Sequence, residues 1–363
     1  LVNVMAFLIK YDRLNGYYDF WIELLLIILR DILKDHKKSG VEFLVLELCT
    51  ALIAGSSFIK KSDYNQSIEL LKQIKPYDKY DSTLERKPPD ELHNFCMYGI
   101  CAEYLRGYLT GIETDEFILR HWEVQKDRFD AEGRYMDSGC PMVYDITSRY
   151  RLALMLHMGY TGEAEAEMRE TLIIGAPSLL LQMSSSFKFP YGGRSNQFNF
   201  NESLVASMCE FYAIEFSKTG DVANAGIFKG YAIKSIEKLQ PWLETEPARH
   251  IKNHFPSDSN YGIDSYGTYE RYMGTMGTFL SLAVLAYDGS IKATAYSGGL
   301  SGFIYETSCK FHKLFANCSG YSLELDKNAD NKYDATGLGR IHYMDAPIEL
   351  ALSMPFAQSP KYL

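Results

Sequence analysis

What the sequence lacks narrows the field first. Its seven cysteines (Cys49, Cys96, Cys101, Cys140, Cys209, Cys309 and Cys318) include no CxxC pair and are odd in number, so neither a zinc site nor a disulfide framework is indicated. Five of them fall in apolar segments, where cysteine acts as a small hydrophobe, and the expectation is a reducing, cytoplasmic compartment. The N-terminal LVNVMAFLIKYDR has neither a basic start nor a small-residue cleavage site; an extracytoplasmic location is expected only if a leader has already been removed. The most apolar run, residues 20–29, is interrupted by Glu23 and too short to span a bilayer, so no membrane partner is expected. A net positive charge is also missing. A formal charge of -9, with no cluster of Lys or Arg to offset it, argues against nucleic acid as a partner.

What is present is apolar and aromatic. With 363 residues, 47% of them hydrophobic, the chain can bury a large core. The 27 tyrosines are more pointed: a Tyr-rich cleft suits sugars, whose apolar faces stack on rings while their hydroxyls meet phenols and amides, although packing at the core boundary accounts for most of them. Apolar residues recur at helical spacing over 18–35, 41–59, 65–74, 91–109, 117–129, from 146 through 157, and over 163–183, 221–239 and 269–287. Residues 76–90 read as a loop. Polar loops precede helices near His93, Asp145, Glu202 and Tyr269, a helical-hairpin repeat of irregular length. Because the long loops all fall before the inner helix of each pair, closure explains them better than an open solenoid. The expected fold is therefore mainly α, an (α/α) toroid of helical hairpins over 1–288, with loops converging on one cleft. From 289 to 363 glycines and short β-branched runs with a Ser319-Gly320 turn predict the first strands of a C-terminal β-sandwich-like region.

The densest polar stretch is FPYGGRSNQFNFNE, residues 189–202. Pro190 and Gly192-Gly193 break regular structure, and Ser195 or Asn196 is placed to cap the helix that follows. Tyr191, Arg194, Asn196, Gln197 and Asn201 are candidate substrate ligands at a helix N-terminus, where backbone N–H groups and the dipole favour anions; Arg194 adds a fork of donors for a carboxylate. The competing reading is a structural turn whose amides satisfy loop backbone. Asp145, four residues before Arg149, is either an N-terminal aspartate in an i,i+4 ion pair or a cleft acid, and Glu202 carries the same ambiguity; Arg149 is the alternative to Arg194 for pairing a substrate carboxylate. Two such carboxylates are the acid and base of glycoside hydrolysis when suitably spaced. His93 beside Asn94, and His254 in HIKNHFP, are candidate proton carriers, each against a backbone-bonded alternative. The loop YGIDSYGTYERY offers Tyr266, Tyr269 and Arg271 as a sugar platform or lid, with Asp264 and Tyr272 alongside. Asp326, Asp330 and Asp334 do not follow the order of a calcium loop, and neither metal nor cofactor is expected.

Three runs, YMDSGCPMVYDITSRYRLALML, FPYGGRSNQFNFNE and YDATGLGRIH, with KSDYN at 61–65 and ELHNF at 91–95, resemble heparinase II/III-like proteins. The likeness is nearest to the group that includes glycoside hydrolase family 154, β-glucuronidases, and covers nearly the whole chain. It implies an α/α-toroid catalytic domain followed by a β-sandwich, and an enzyme acting on oligo- or polysaccharides that contain uronic acid. Related toroids include polysaccharide lyases, so β-elimination at a uronic acid is the alternative reaction. A non-catalytic scaffold binding a glycan or a protein is the reading from another class. A homo-oligomer is compatible with the sequence. Asp145, Arg194 and Glu202 are expected to line one cavity.

Overall fold

The computed structural model describes residues 1–34, 39–190, 192–253, 255–256, 264, 266–295, 302–330, 332–346 and 350–351. These form two compact units, one of residues 1–129 and 151–170, the other of 130–150 and 171–363. The protein is mainly helical, with a small antiparallel sheet toward its C-terminus.

In the first unit, α1 (Val2–Lys10), α2 (Tyr18–Lys34), α3 (Val41–Gly55), α4 (Lys61–Lys72), α6 (Asn94–Thr110) and α7 (Asp115–Gln125) follow the apolar periodicity, with a single turn, α5 (Pro76–Lys79), inside the stretch read from sequence as loop. The α1 helix was not expected. Its VNVMAFLI is apolar on nearly every side, so it shows no stripe, and it is held by burial and by the Trp21 indole, which donates to the Val2 carbonyl at 2.9 Å. Trp21, Cys49, Tyr80 and Cys101 are fully buried. Among them the Tyr80 hydroxyl donates to Glu103 at 2.6 Å, and Arg106 closes the cluster on the same carboxylate at 2.6 Å. The α6 helix starts at Asn94 rather than near Glu91, because residues 89–91 form a 3-10 turn opened by Pro89.

The second unit holds most of α8 (Met142–His157) and α9 (Glu165–Leu181), then α10 (Phe200–Lys218), α11 (Val222–Leu243) and α12 (Tyr269–Leu285). The α10 helix is buried on all sides between α11 and α12, which is why its sequence carries no amphipathic stripe. Inside this contact Lys229 and Glu210 pair at 2.7 Å, and the Ser207 hydroxyl donates to the Phe279 carbonyl at 2.6 Å. Asp221 caps α11 by accepting from the Asn224 amide at 3.0 Å.

The sheet is a meander in sequence order, β1 (Phe303–Glu306), β2 (Lys313–Cys318), β3 (Tyr321–Asp326), β4 (Gly337–Tyr343) and a two-residue β5 (Leu350–Ala351). Cys318 faces Tyr321 across the hairpin, and Ser319 and Gly320 both take positive φ (49° and 85°), as a two-residue turn matched to strand twist requires. Hydrogen bonds fix the sheet against residues 183–189, among them Ser185 N–H donating to Ser322 Oγ at 2.5 Å, Asn317 Nδ2 to the Met183 carbonyl at 3.3 Å, and Arg340 Nη1 to the Phe189 carbonyl at 2.7 Å. The polar stretch 189–202 thus begins on the sheet and ends on α10.

Candidate functional site

That stretch is a series of turns, and the helix after it begins at Phe200, close to the expected start near Glu202, but with a different capping position. Asn199, not Ser195 or Asn196, is the N-cap position of α10, and its side chain makes no cap bond; its amide donates instead to the carbonyls of Arg249 and Ile251. Ser195 sits at φ 65°, a left-handed conformation unusual for a serine. Phe198 and Phe200 stack with Tyr272, Phe198 lying 4.2 Å from the Tyr272 ring at 10°, and so anchor the far side of the turn.

The side chains here divide by direction. Asn196 Nδ2 donates to the Gly192 carbonyl at 2.5 Å, Gln197 Nε2 to the Gly193 carbonyl at 2.8 Å, and Asn201 Nδ2 to the carbonyls of Ser195 and Asn196. Their nitrogens therefore serve the loop's own backbone, as the structural reading of the sequence held. The amide oxygens of the same three residues are buried without a protein partner among the described residues. Arg194 instead faces outward. It lines a cleft of about 270 Å³ together with Gly192, Cys140, Lys332, Tyr333 and Asp334. Its Nη2 donates to Asp137 at 2.9 Å and its guanidinium lies 4.7 Å over the Tyr144 ring, while Nε is buried with no partner among the described residues. Gly192 passes so close to Asp334 that a Cβ there would overlap the carboxylate.

The cleft is not electropositive. Arg194, Lys313 and Lys332 face Asp326, Asp330 and Asp334, so any preference for an anion rests on the directed donors of Arg194 rather than on net charge. Behind the wall Lys313 is buried among Glu324, Asp326 and Asp334, and His312 meets Asp326 at 2.6 Å. Burial opposes ionisation of Asp326, but His312 and Lys313 outweigh it and bring the carboxyl down to about 2.

Beside Arg194 runs a chain of hydroxyls ending on a carboxylate. Tyr266 donates to Asp264 Oδ2 at 2.9 Å, Ser195 Oγ lies 2.6 Å from the Tyr266 hydroxyl, and the Tyr144 hydroxyl lies 3.1 Å from Ser195 Oγ. With Asp264 ionised, Tyr266 gives its proton to the carboxylate, so Ser195 donates to Tyr266 and Tyr144 to Ser195, a chain with one direction. Asp264 also accepts the Ser195 N–H at 2.7 Å. Burial raises the Asp264 carboxyl above its usual range, against the stabilising pull of Ser195, Tyr266 and Arg194; burial drives the Tyr266 phenol far up as well.

The other sequence candidates are placed as follows. Asp145 and Arg149 are fully buried and joined at 2.7 Å, with the second Asp145 oxygen taking the Tyr135 N–H at 2.8 Å. Glu202 is buried in an ion pair with Lys252 at 2.8 Å and accepts the Phe189 N–H at 3.3 Å. Of the three residues expected to share a cavity, Arg194 lines the cleft, and Asp145 and Glu202 do not. Tyr269 opens α12 with its ring 5.3 Å from that of His250, and Arg271 is exposed, reaching the Tyr266 carbonyl at 3.4 Å. His93, half-buried at the N-cap position of α6, and the buried Asn94 belong to the first unit; the other described candidates belong to the second. Tyr191 and His254 lie outside the described residues. Asp137, Tyr144 and Lys252 were missed, since each meets its partner across dozens of residues with no local pattern to announce it. Among the described residues, no group of three or more His, Cys, Asp or Glu is arranged to hold a metal, and no helix is long and apolar enough to cross a membrane. No protein-family model matches the chain, and no curated protein matches it significantly.

Proposed function

We propose that the protein is a carbohydrate-active enzyme, a glycoside hydrolase of the β-glucuronidase kind acting on glycans that contain uronic acid. The observation that carries this reading is Arg194, a guanidinium anchored on Asp137 and stacked over Tyr144, with its Nε unpartnered among the described residues, at the wall of a cleft large enough for a sugar ring. A fork held this way meets a carboxylate with little loss of side-chain freedom. Tyr333 supplies a ring face and hydroxyl at the cleft wall, and Tyr144 backs the Arg194 guanidinium. The closure of the helical hairpins into a toroid, the continuation of the sheet into a sandwich, and kinship with heparinase II/III-like proteins belong to the same proposal.

In this reading the Asp264 chain handles the proton. Burial shifts the Asp264 carboxyl upward, toward the protonated form, and when it is protonated the hydrogen-bond direction along Tyr266, Ser195 and Tyr144 can reverse, delivering a proton beneath Arg194. A phenol raised as Tyr266 is keeps its own proton, which suits a relay and weighs against Tyr266 as the base of β-elimination.

Aryl glucuronides test the proposal. Hydrolysis without an ultraviolet-absorbing unsaturated product is expected, and Arg194→Lys is expected to lower kcat/KM by roughly 10- to 100-fold, from the ~1.5–3 kcal/mol of a charge-assisted hydrogen bond. The matching aryl glucoside should lose much less. An unsaturated product would establish the lyase instead, and equal losses on both substrates would remove Arg194 from carboxylate recognition.

A further inference from the structure

The turn between β1 and β2 brings to the cleft wall a histidine that the sequence did not single out. His312 lines the cleft together with Arg194, Lys332 and Tyr333. It takes φ 48°, in the left-handed region, which costs energy for any residue but glycine and persists where the surroundings hold it. Here they do. Its N–H donates to the Ser308 carbonyl at 3.1 Å, its carbonyl accepts the Lys327 N–H at 2.8 Å, and its ring Nδ1 meets Asp326 Oδ1 at 2.6 Å. Asp326 is fixed in turn, since Oδ1 also accepts the Asn328 N–H at 2.9 Å and Oδ2 lies 2.9 Å from Lys313 Nζ.

The same contacts choose the tautomer. Burial alone would raise the Asp326 carboxyl, yet His312 and Lys313 bring it to about 2, so it is ionised and can only accept. Nδ1 therefore carries the hydrogen, and the neutral ring keeps its lone pair on Nε2, which makes no hydrogen bond among the described residues. The charges around the ring are mixed: Asp326 and Lys313 adjoin it, and Arg194, Lys332, Asp330 and Asp334 share the lining. An imidazole clamped on a strained backbone, with one nitrogen tied to a carboxylate and the other left as an acceptor at a cleft, is arranged as a base rather than as packing.

We propose that His312 is the general base of the cleft. Its Nε2 takes a proton from the attacking water as the water oxygen bonds to the anomeric carbon; the glycosidic C–O bond breaks, and the leaving oxygen receives the proton delivered along the Asp264 chain. This rests on the hydrolase reading of the cleft and adds its stereochemistry, since a water activated in this way inverts the anomeric centre.

His312→Asn suits the test, because asparagine tolerates a left-handed backbone and keeps a donor for Asp326 but cannot take the proton. On an aryl glucuronide it is expected to lower kcat by roughly 10²- to 10⁴-fold with KM within about threefold, to remove one limb of the pH profile of kcat/KM, and to leave the melting curve near the parent's. His312→Gly, which opens room for a free base without backbone strain, is expected to regain turnover with added imidazole. Proton NMR of the first product formed from a β-glucuronide should show the α anomer of glucuronate. A His312→Asn variant that keeps kcat within about threefold, a loss carried by KM alone, a His312→Gly variant that imidazole leaves inactive, or a first-formed β anomer would each overturn the proposal while hydrolysis by the parent stands. A parent that releases no aglycone fails the hydrolase reading itself, and the role of His312 with it.

Discussion

Replacing Asp145 by alanine is expected to unfold the second unit well before it informs on chemistry. The carboxylate accepts Arg149 Nη2 at 2.7 Å and the Tyr135 N–H at 2.8 Å, with both side chains of the pair at 0% exposure. Arg149 in turn donates to the Gly175 carbonyl at 2.6 Å and meets the Tyr212 hydroxyl at 3.4 Å, and Tyr212 donates to the Leu172 carbonyl at 2.8 Å. The packing leaves no slack, since a Cβ on Gly175 would sit 2.6 Å from Arg149 Nη1 and 2.8 Å from the Gly133 carbonyl. Burial by itself disfavours the guanidinium charge; Asp145 and Tyr212 more than restore it. Removing Asp145 therefore leaves a buried cation uncompensated, a loss of about 3–5 kcal/mol. For a unit of this size that is roughly 10 °C in Tm. Asp145→Asn keeps an acceptor for Tyr135 and is expected to lose about half as much. The double variant Asp145→Leu, Arg149→Met is expected to melt above Asp145→Ala, because an apolar pair of similar volume carries no desolvation penalty. Thermal melts by circular dichroism, with turnover normalised to folded protein, decide the matter. Variants that melt within about 1 °C of the parent yet lose all turnover would refute the structural reading and make Asp145 part of the chemistry.

Three further outcomes follow from groups outside the cleft or at its wall. Gly192→Ala places a methyl group against the Asp334 carboxylate, which the buried Lys313 prevents from moving, and is expected to cost about 1–3 kcal/mol in a chemical denaturation curve and to weaken uronide binding with it. His121 is buried and neutral, with Nδ1 donating to the Phe117 carbonyl at 2.8 Å and Nε2 accepting the Leu84 N–H at 3.3 Å; burial lowers its pKa, so the unfolded chain takes up the proton first. Its contribution is thus complete above about pH 6.5 and lost as pH falls below it, and His121→Gln should flatten the Tm–pH curve there. Glu42 has the opposite sign. Burial, with Asp81 nearby, pushes its carboxyl up to about 7, so the folded state holds a proton that the unfolded state releases, and stability declines from about pH 4.3 to 7. Glu42→Gln is expected to raise Tm at pH 8 and to change it little at pH 4.

The sequence told most where physics is local. Helices α2, α3, α6 and α8 follow a spacing that any reader of the chain can count, and the Ser319-Gly320 hairpin turn is signalled by a glycine, which takes positive φ freely. The Asp145–Arg149 pair was legible for the same reason, an i,i+4 relation on one helix face. What failed was direction and distance. The stretch 189–202 announces polar groups but not which way each one points: its Asn and Gln nitrogens turn inward to the loop's own carbonyls, while Arg194 turns to the cleft. The choice between those orientations is made by residues far along the chain. Asp137 pulls Arg194 outward, Arg340 on β4 fixes the Phe189 carbonyl, and Asp264 holds Ser195 in its left-handed conformation through the backbone N–H. A serine in that conformation is disfavoured by roughly 1 kcal/mol or more and persists because Asp264, Tyr266 and Tyr144 converge on it. The strained residue and the carboxyl raised by burial are thus the same contact seen from two sides. The Asp264–Ser195 hydrogen bond therefore also sets how firmly the turn before α10, and Arg194 within it, is held.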